Sequence, residues 1–203
     1  TAGLHFTPEI LETLKKRGIS NEFLTLHVSA GTFQPIQTER ITEHPMHNER
    51  VIITKSAVLS ALNSKTIIPV GTTSMRTLES LYWFGYKLIK EDNADFFIEK
   101  LLPYSTKGSL PSKDMALEAV MQHMSAHSLD VLEGETEIFI FPGYTFRLCS
   151  GLVTNFHQPG STLILLVAAL LGTDWRHVYD HALNNEYRFL SYGDSSLLLP
   201  YAL

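Results

Sequence analysis

Two segments of this chain place polar side chains where an apolar strand pattern turns into a helical one, and open α/β sheets bind ligands at such corners. In the first, Leu152-Val153-Thr154-Asn155-Phe156-His157-Gln158-Pro159-Gly160-Ser161-Thr162, a strand brings Thr154 and Asn155 to its carboxyl end. His157 follows in the turn, and Ser161 or Thr162 caps a very apolar helix. In the second, Thr66-Ile67-Ile68-Pro69-Val70 runs into Gly71-Thr72-Thr73-Ser74-Met75-Arg76. Gly71 permits a tight turn, Thr73 or Ser74 can cap, and the exposed amides with Arg76 one turn in can hold a carboxylate or phosphate. The spacing is neither a Walker A loop nor a dinucleotide fingerprint. A capped helix with a solvent-facing Arg76, and an ordinary strand-turn-helix connection at His157, are the plain alternatives.

Histidines supply the remaining chemistry. His44-Pro45-Met46-His47-Asn48-Glu49 gathers two imidazoles and a carboxylate, which raises the question of a metal. The spacing is not that of the helical zinc-protease motif, and Pro45 works against two imidazoles sharing one helical face. A histidine pair shaping a pocket through hydrogen bonds is the preferred reading, and no metal is expected. His5 follows Ala2-Gly3, where backbone can approach a ligand closely. His123, His127, His177 and His181 fall on surface positions, and the lone Cys149 reads as a small core residue in a reducing compartment.

The elements that must hold these groups alternate. With 203 residues, 44% hydrophobic and 18% charged, the chain can bury one core. Thr7-Pro8-Glu9 starts a helix that Gly18 ends, Phe23 to Val28 alternates as a strand, and residues 29–35 form a loop of small residues. Further helices are expected over Lys55 to Leu62, Met75 to Ile89, Met115 to His127 and Asp174 to Asn185. Further strands are expected over Ile67 to Val70, Glu137 to Phe141 and Arg147 to Thr154, with a turn over Tyr187 to Asp194 and a short strand after it. Strand then helix, repeated, predicts an α/β fold with a largely parallel sheet and flanking helices, or an incomplete or distorted barrel. Pro103 to Asp114 is the expected mobile insertion. The apolar run Thr162 to Leu171 is too short to span a bilayer, so no membrane partner is expected and the cytoplasm is the expected compartment. A net charge of −5 excludes nucleic-acid binding by bulk electrostatics, leaving local patches at Lys15-Lys16-Arg17, Lys107 with Lys113, and Arg147.

TAGLHF (1–6), TLHVSAGTFQPI (25–36), HPMHNE (44–49), VGTTSMRTLES (70–80), IFIFPG (138–143), LVTNFHQPGSTLILLVAALLG (152–172) and YRFLSYGDS (187–195) together resemble the S-adenosylmethionine:tRNA ribosyltransferase-isomerase family of queuosine biosynthesis. The likeness is weakest over 92–135, which is taken as variable or inserted material within one α/β catalytic domain spanning 1–203. The family pattern starts before TAGLHF, so the chain is expected to be a carboxy-terminal portion without the family's inserted β-barrel domain, and its activity alone is open.

The resemblance implies a reaction that moves the ribosyl part of S-adenosylmethionine onto 7-aminomethyl-7-deazaguanine at the wobble position of a tRNA with a queuosine-type anticodon. Epoxyqueuosine-tRNA forms, and adenine and methionine leave. The sulfonium acidifies neighbouring C–H bonds, so the path needs a base, an acid for adenine and a dry pocket, with neither metal nor protein nucleophile. On this likeness His157, His47, Glu49 and Asn155 are the catalytic candidates. Gly71, Thr72, Thr73, Ser74, Arg76, Thr154 and Phe33 are candidates to bind S-adenosylmethionine, the co-substrate. His5, Arg188, Tyr192 and Asp194 are candidates for RNA or substrate contact, although Arg188 and Asp194 also suit a salt-bridged closing turn. Phe156 suits core packing. A monomer is expected. Two other readings remain: a metal-dependent hydrolase using His44, His47, Glu49 and His157, and a non-catalytic fold or RNA-binding fragment.

Overall fold

The computed structural model describes residues 2–27, 36, 38–91 and 93–200. Its element order is α1 (Pro8–Lys16), β1 (Thr25–His27), β2 (Glu49–Thr54), α2 (Lys55–Asn63), α3 (Thr72–Lys90), β3 (Phe97–Ile98), α4 (Leu102–Ser105), α5 (Lys113–Ala126), β4 (Val131–Thr136), β5 (Leu152–Asn155), α6 (Thr162–Leu171), α7 (Trp175–Asn184) and β6 (Ser195–Leu198). Short 3-10 turns cover Ala2–His5, Ile41–Glu43 and Gly172–Asp174.

The sheet corrects the expectation of largely parallel strands. Four strands lie in the order β1-β2-β4-β3, and only β3–β4 is a parallel pair, β1–β2 and β2–β4 being antiparallel. A second, two-stranded sheet pairs β5 with β6 antiparallel. The strand expected at 67–70 adds a single parallel bridge, Val70 to Val153. The error has an identifiable origin in β2 and β4, which the sequence pattern did not reveal. β4 turns Glu133 and Glu135 outward, where Glu133 pairs with Arg50 of β2, so its composition is that of a polar loop. Conversely, Ile138-Phe139-Ile140 is apolar at every position because it is buried, yet it lies past the end of the ladder. Two amides continue irregularly toward the β3 side, Glu137 N–H to Ile98 O at 2.9 Å and Phe139 N–H to Lys100 O at 3.1 Å.

The helices follow the sequence closely because their end signals are local. Thr7 caps α1 through Ile10 N–H, with Pro8 in the first turn. Ser112 caps α5 and Ser161 caps α6 in the same way. α3 differs. Its N-cap is Gly71 at φ 92°, and neither Thr73 nor Ser74 supplies the cap expected of it.

α3 is the axis of the core, with Met75, Leu78, Leu81, Tyr82, Trp83, Phe84 and Leu88 all buried. α5 lies across it so closely that a Cβ at Gly85 would run into the Ala116 carbonyl. Segment 92–135, expected to be variable or inserted material, supplies both α5 and the sheet strand β4.

α3 also buries Glu79 completely. Its carboxylate accepts from Tyr144 Oη at 2.7 Å and from the amides of Arg147, Leu148 and Cys149 at 2.9, 3.0 and 2.9 Å. Trp83 Nε1–H donates in turn to Tyr144 Oη at 2.9 Å. One carboxylate therefore fixes the loop that leads into β5, and the strand expected from Arg147 starts only at Leu152, once those amides have been taken. Cys149 is buried in the same place, and burial raises its thiol well above the usual range, in keeping with a core role.

Gly85→Ala tests the α3–α5 contact. In an open helix the change gains about 0.5–1 kcal/mol, but the collision with Ala116 reverses the sign. A net loss of about 1–3 kcal/mol is expected in urea unfolding, and a gain would show that the helices lie farther apart.

Candidate active site between two strand-to-helix corners

The two corners are adjacent. Gly71 N–H donates to Val153 O at 2.8 Å, and Val153 N–H donates to Pro69 O at 2.9 Å, so the strand end before α3 lies against β5. Between the helices that follow lies a cleft. α3 contributes Arg76, α6 contributes Thr162, Leu163 and Leu166, and the wall is formed by His44 to His47, Glu49, Phe139 and Ile140.

Strand alternation explains Glu49. It shares the buried face of β2 with Val51 and Ile53, so a carboxylate stands in a row of core residues. Such a charge needs a partner, and Arg76 Nη1 lies 2.9 Å from Glu49 Oε2, the two side chains being 7% and 0% exposed. Arg76 Nε–H also donates to Ile138 O at 3.0 Å. Burial pulls the guanidinium down from its ordinary range, and Glu49 opposes that pull. The solvent-facing alternative for Arg76 is thereby excluded, and Arg76 is not a wholly open anion clamp either. Its Nη2 is the buried group left without a partner.

Two imidazole nitrogens share that condition. His44 Nδ1 and His47 Nε2 are buried and have no hydrogen-bond partner. Burial is the main cause that lowers His44 below the ordinary imidazole value, with the Lys100 and His47 charges adding to it. Three nitrogens with unmet hydrogen-bonding capacity in one cleft suit a polar ligand, because leaving such groups buried and unpaired is costly. Among the described residues no group of three or more His, Cys, Asp or Glu side chains could hold a metal ion. The donor set therefore does not fit the metal-dependent hydrolase: Glu49 is committed to Arg76, and His157 is absent from the cleft lining.

The other candidates gather around the end of β5. Thr154 Oγ1 lies 2.9 Å from His157 Nε2, and His157 N–H donates to Tyr179 Oη at 3.0 Å. Asn155 Nδ2 reaches His5 Nε2 at 3.3 Å, Gly193 O at 3.3 Å and Asp194 O at 3.4 Å. Asp194 binds the Arg188 guanidinium at 2.8 Å and accepts from the Arg188 amide at 2.7 Å, which is the salt-bridged closing turn. The Arg188 partner holds the Asp194 carboxyl below its usual range. Tyr192 projects from this turn and is 87% exposed. Phe156 packs among Tyr179, Tyr187 and Phe189, the core role expected of it.

The site residues thus form two groups. Arg76, Glu49 and His47 share the cleft, while His5, Thr154, Asn155, His157, Arg188 and Asp194 share the β5 end. Gly71, Thr72, Thr73 and Ser74 form the first turn of α3 leading to Arg76, and Phe33 lies outside the described residues. Sequence reasoning missed Phe139 and Ile140 as cleft wall, Ile138 O as a partner of Arg76 and Tyr179 as the partner of His157. Its one available signal was the IFIFPG block. His44, expected with His47 to shape a pocket through hydrogen bonds, lines the cleft.

Burial lowers His157 to about 4, so its neutral form prevails at pH 7. The unfolded chain takes up a proton near pH 6.5 that the folded chain refuses until about 4. Stability is therefore full above pH 6.5 and declines as the pH falls from there toward 4, by a total on the order of 3 kcal/mol. Urea unfolding at pH 7 and pH 4.5 should show this slope, and His157→Gln should flatten it. An equal slope in the variant would place the proton uptake elsewhere.

Comparison with known proteins comes to one family. The family model described as queuosine biosynthesis protein matches residues 1–109 and 113–198. The S-adenosylmethionine:tRNA ribosyltransferase-isomerases of Novosphingobium aromaticivorans and Caulobacter vibrioides are each 43% identical, over 206 and 204 residues. These alignments take in 98% of this chain and 48% and 44% of the relatives. The crystal structure of S-adenosylmethionine tRNA ribosyltransferase from Thermotoga maritima superposes with a TM-score of 0.62 at 33% identity, over 98% of this chain and 52% of that one. The chain spans about half the length of the curated relatives it matches. On this match the chain belongs to the queuosine biosynthesis protein family.

Proposed function

We propose that this chain carries the S-adenosylmethionine site of a tRNA ribosyltransferase-isomerase, the name its relatives bear. The observation that carries the reading is the cleft between the two corners, where Arg76 is neutralised by Glu49 yet keeps Nη2 available beside two buried imidazoles. S-adenosylmethionine is a zwitterion with an added sulfonium. A site with a bare arginine would attract the methionine carboxylate but repel the sulfonium, whereas the Arg76–Glu49 pair offers a directional donor at little net charge. The first-turn amides of α3, which no side chain caps, add hydrogen-bond donors suited to an anion on the same helix.

The reaction follows from the substrate. His47 Nε2 takes a proton from the ribose carbon beside sulfur, adenine leaves as the ring opens, and the amine of 7-aminomethyl-7-deazaguanine in tRNA adds to the unsaturated sulfonium. Methionine is then expelled as the epoxide closes, giving epoxyqueuosine-tRNA. Glu49, bound to Arg76, orients the pocket and is not the base. The neutral His157, held by Thr154, and Asn155 meet ribose hydroxyls or the purine edge. The turn carrying Arg188 and the exposed Tyr192, with His5 beside it, is the surface for the anticodon of a tRNA with a queuosine-type wobble base. With a net charge of −5, RNA binding must rest on such local contacts.

Calorimetric titration with S-adenosylmethionine tests the cleft. Arg76→Gln alone removes the buried cation that faces the Glu49 carboxylate, so Arg76→Gln with Glu49→Gln is the better variant. Affinity should fall by about 1.5–3 kcal/mol while the fold persists. An unchanged dissociation constant in the folded double variant would remove this cleft as the S-adenosylmethionine site.

A further inference from the structure

Lys100 lies outside every motif discussed so far, just after β3 and within the segment expected to vary. Its half-buried ammonium donates to Thr42 O at 2.7 Å and His44 O at 2.9 Å, carbonyls within and just after the 3-10 turn Ile41–Glu43. His44 N–H donates to Ile41 O at 3.2 Å across the same turn. The peptide between Lys100 and its neighbours is itself fixed, since Lys100 O accepts Phe139 N–H at 3.1 Å, and Phe139 is a cleft wall whose ring lies 6.2 Å from that of His44. One residue thus ties together two walls that no ladder joins.

We propose that Lys100 is the positioning residue of the cleft: by clamping the carbonyls of Thr42 and His44 it fixes the turn that presents His44 Nδ1 and His47 Nε2 to the bound ligand.

Glycine-free and proline-bearing, the 44–47 segment has no regular hydrogen bonding of its own to hold those rings, so an external clamp is required. The charge has a second consequence. Groups facing His44 are His47 on its own segment, Glu49 from β2, Arg76 from α3 and Lys100 from the β3 side, with Phe139 uncharged. Glu49 is offset by Arg76, leaving Lys100 as the cation that, after burial, most favours a neutral His44. A neutral ring is what a sulfonium ligand requires. The inference rests on the proposed function for the identity of that ligand, but not for the clamp itself.

The test uses the whole chain, with Lys100→Met, which keeps the stem and removes the charge, and Lys100→Arg, which keeps the charge. Imidazole proton resonances of His44 are followed against pH without ligand, and S-adenosylmethionine affinity is measured at pH 7.5. The wild-type His44 midpoint should lie below the ordinary imidazole value, rise in Lys100→Met and stay low in Lys100→Arg. Affinity should weaken about tenfold in Lys100→Met and recover in Lys100→Arg. A wild-type midpoint at or above the ordinary value overturns the proposal without recourse to any variant, as does a midpoint indifferent to Lys100→Met. Should the wild-type chain not bind S-adenosylmethionine while the His44 midpoint still follows Lys100, the clamp stands and the proposed function fails.

Discussion

Placing two ionised side chains one turn apart on a buried helix is the constraint around which this molecule is arranged. Arg76 and Glu79 are both buried within α3, and an unpaired charge there would cost several kcal/mol, a large share of the stability of a domain of this size. Each has to recruit partners from elsewhere in the chain. Glu79 takes three consecutive amides and a tyrosine, and Arg76 takes a strand carboxylate and a backbone carbonyl. Satisfying them decides where β2, the Ile138 segment and the entry to β5 can lie.

The cleft follows from how incompletely one of these demands is met. Glu79 is saturated and its surroundings are closed, a structural use of charge. Arg76 is satisfied at Nε and Nη1 only, and the space beside Nη2 is where the wall of His44 to His47 and the start of α6 come together. The same polar group that specifies the packing therefore also leaves hydrogen-bonding capacity within the cleft. Keeping the pair neutral while retaining a directional donor suits a ligand that carries both a carboxylate and a sulfonium.

Around β5 the chemistry is quieter. His157 is pinned at both its ring and its amide and is buried into neutrality, and Asn155 is tied to the turn that Arg188 and Asp194 close. That turn contains Leu190 at φ 71° and brings Gly193 so near the Arg188 and Phe189 carbonyls that any Cβ would collide with them. A position that accepts only glycine, closed by an ion pair, presents Tyr192 outward with little freedom in the backbone beneath it.

What the sequence determined alone was whatever rests on short-range signals. Helices α1, α2, α3, α5, α6 and α7 were legible because caps, prolines and apolar periodicity act within a few residues. The HPMHNE and VGTTSMRTLES blocks singled out Arg76, Glu49 and His47 as candidates by residue type and family likeness, and the fold brings the three to one cleft. Tertiary structure decided the rest. The antiparallel sheet was hidden because β4 buries only Leu132 and Thr136 and is otherwise polar, so that backbone pairing with its neighbours defines it. That Arg76 would meet Glu49 across 27 positions, that Glu79 would gather the 144–149 loop, and that Lys100 would clamp the His44 turn are long-range facts. No local pattern encodes them, because a buried charge specifies only that it must have partners, and the folded chain alone specifies which ones.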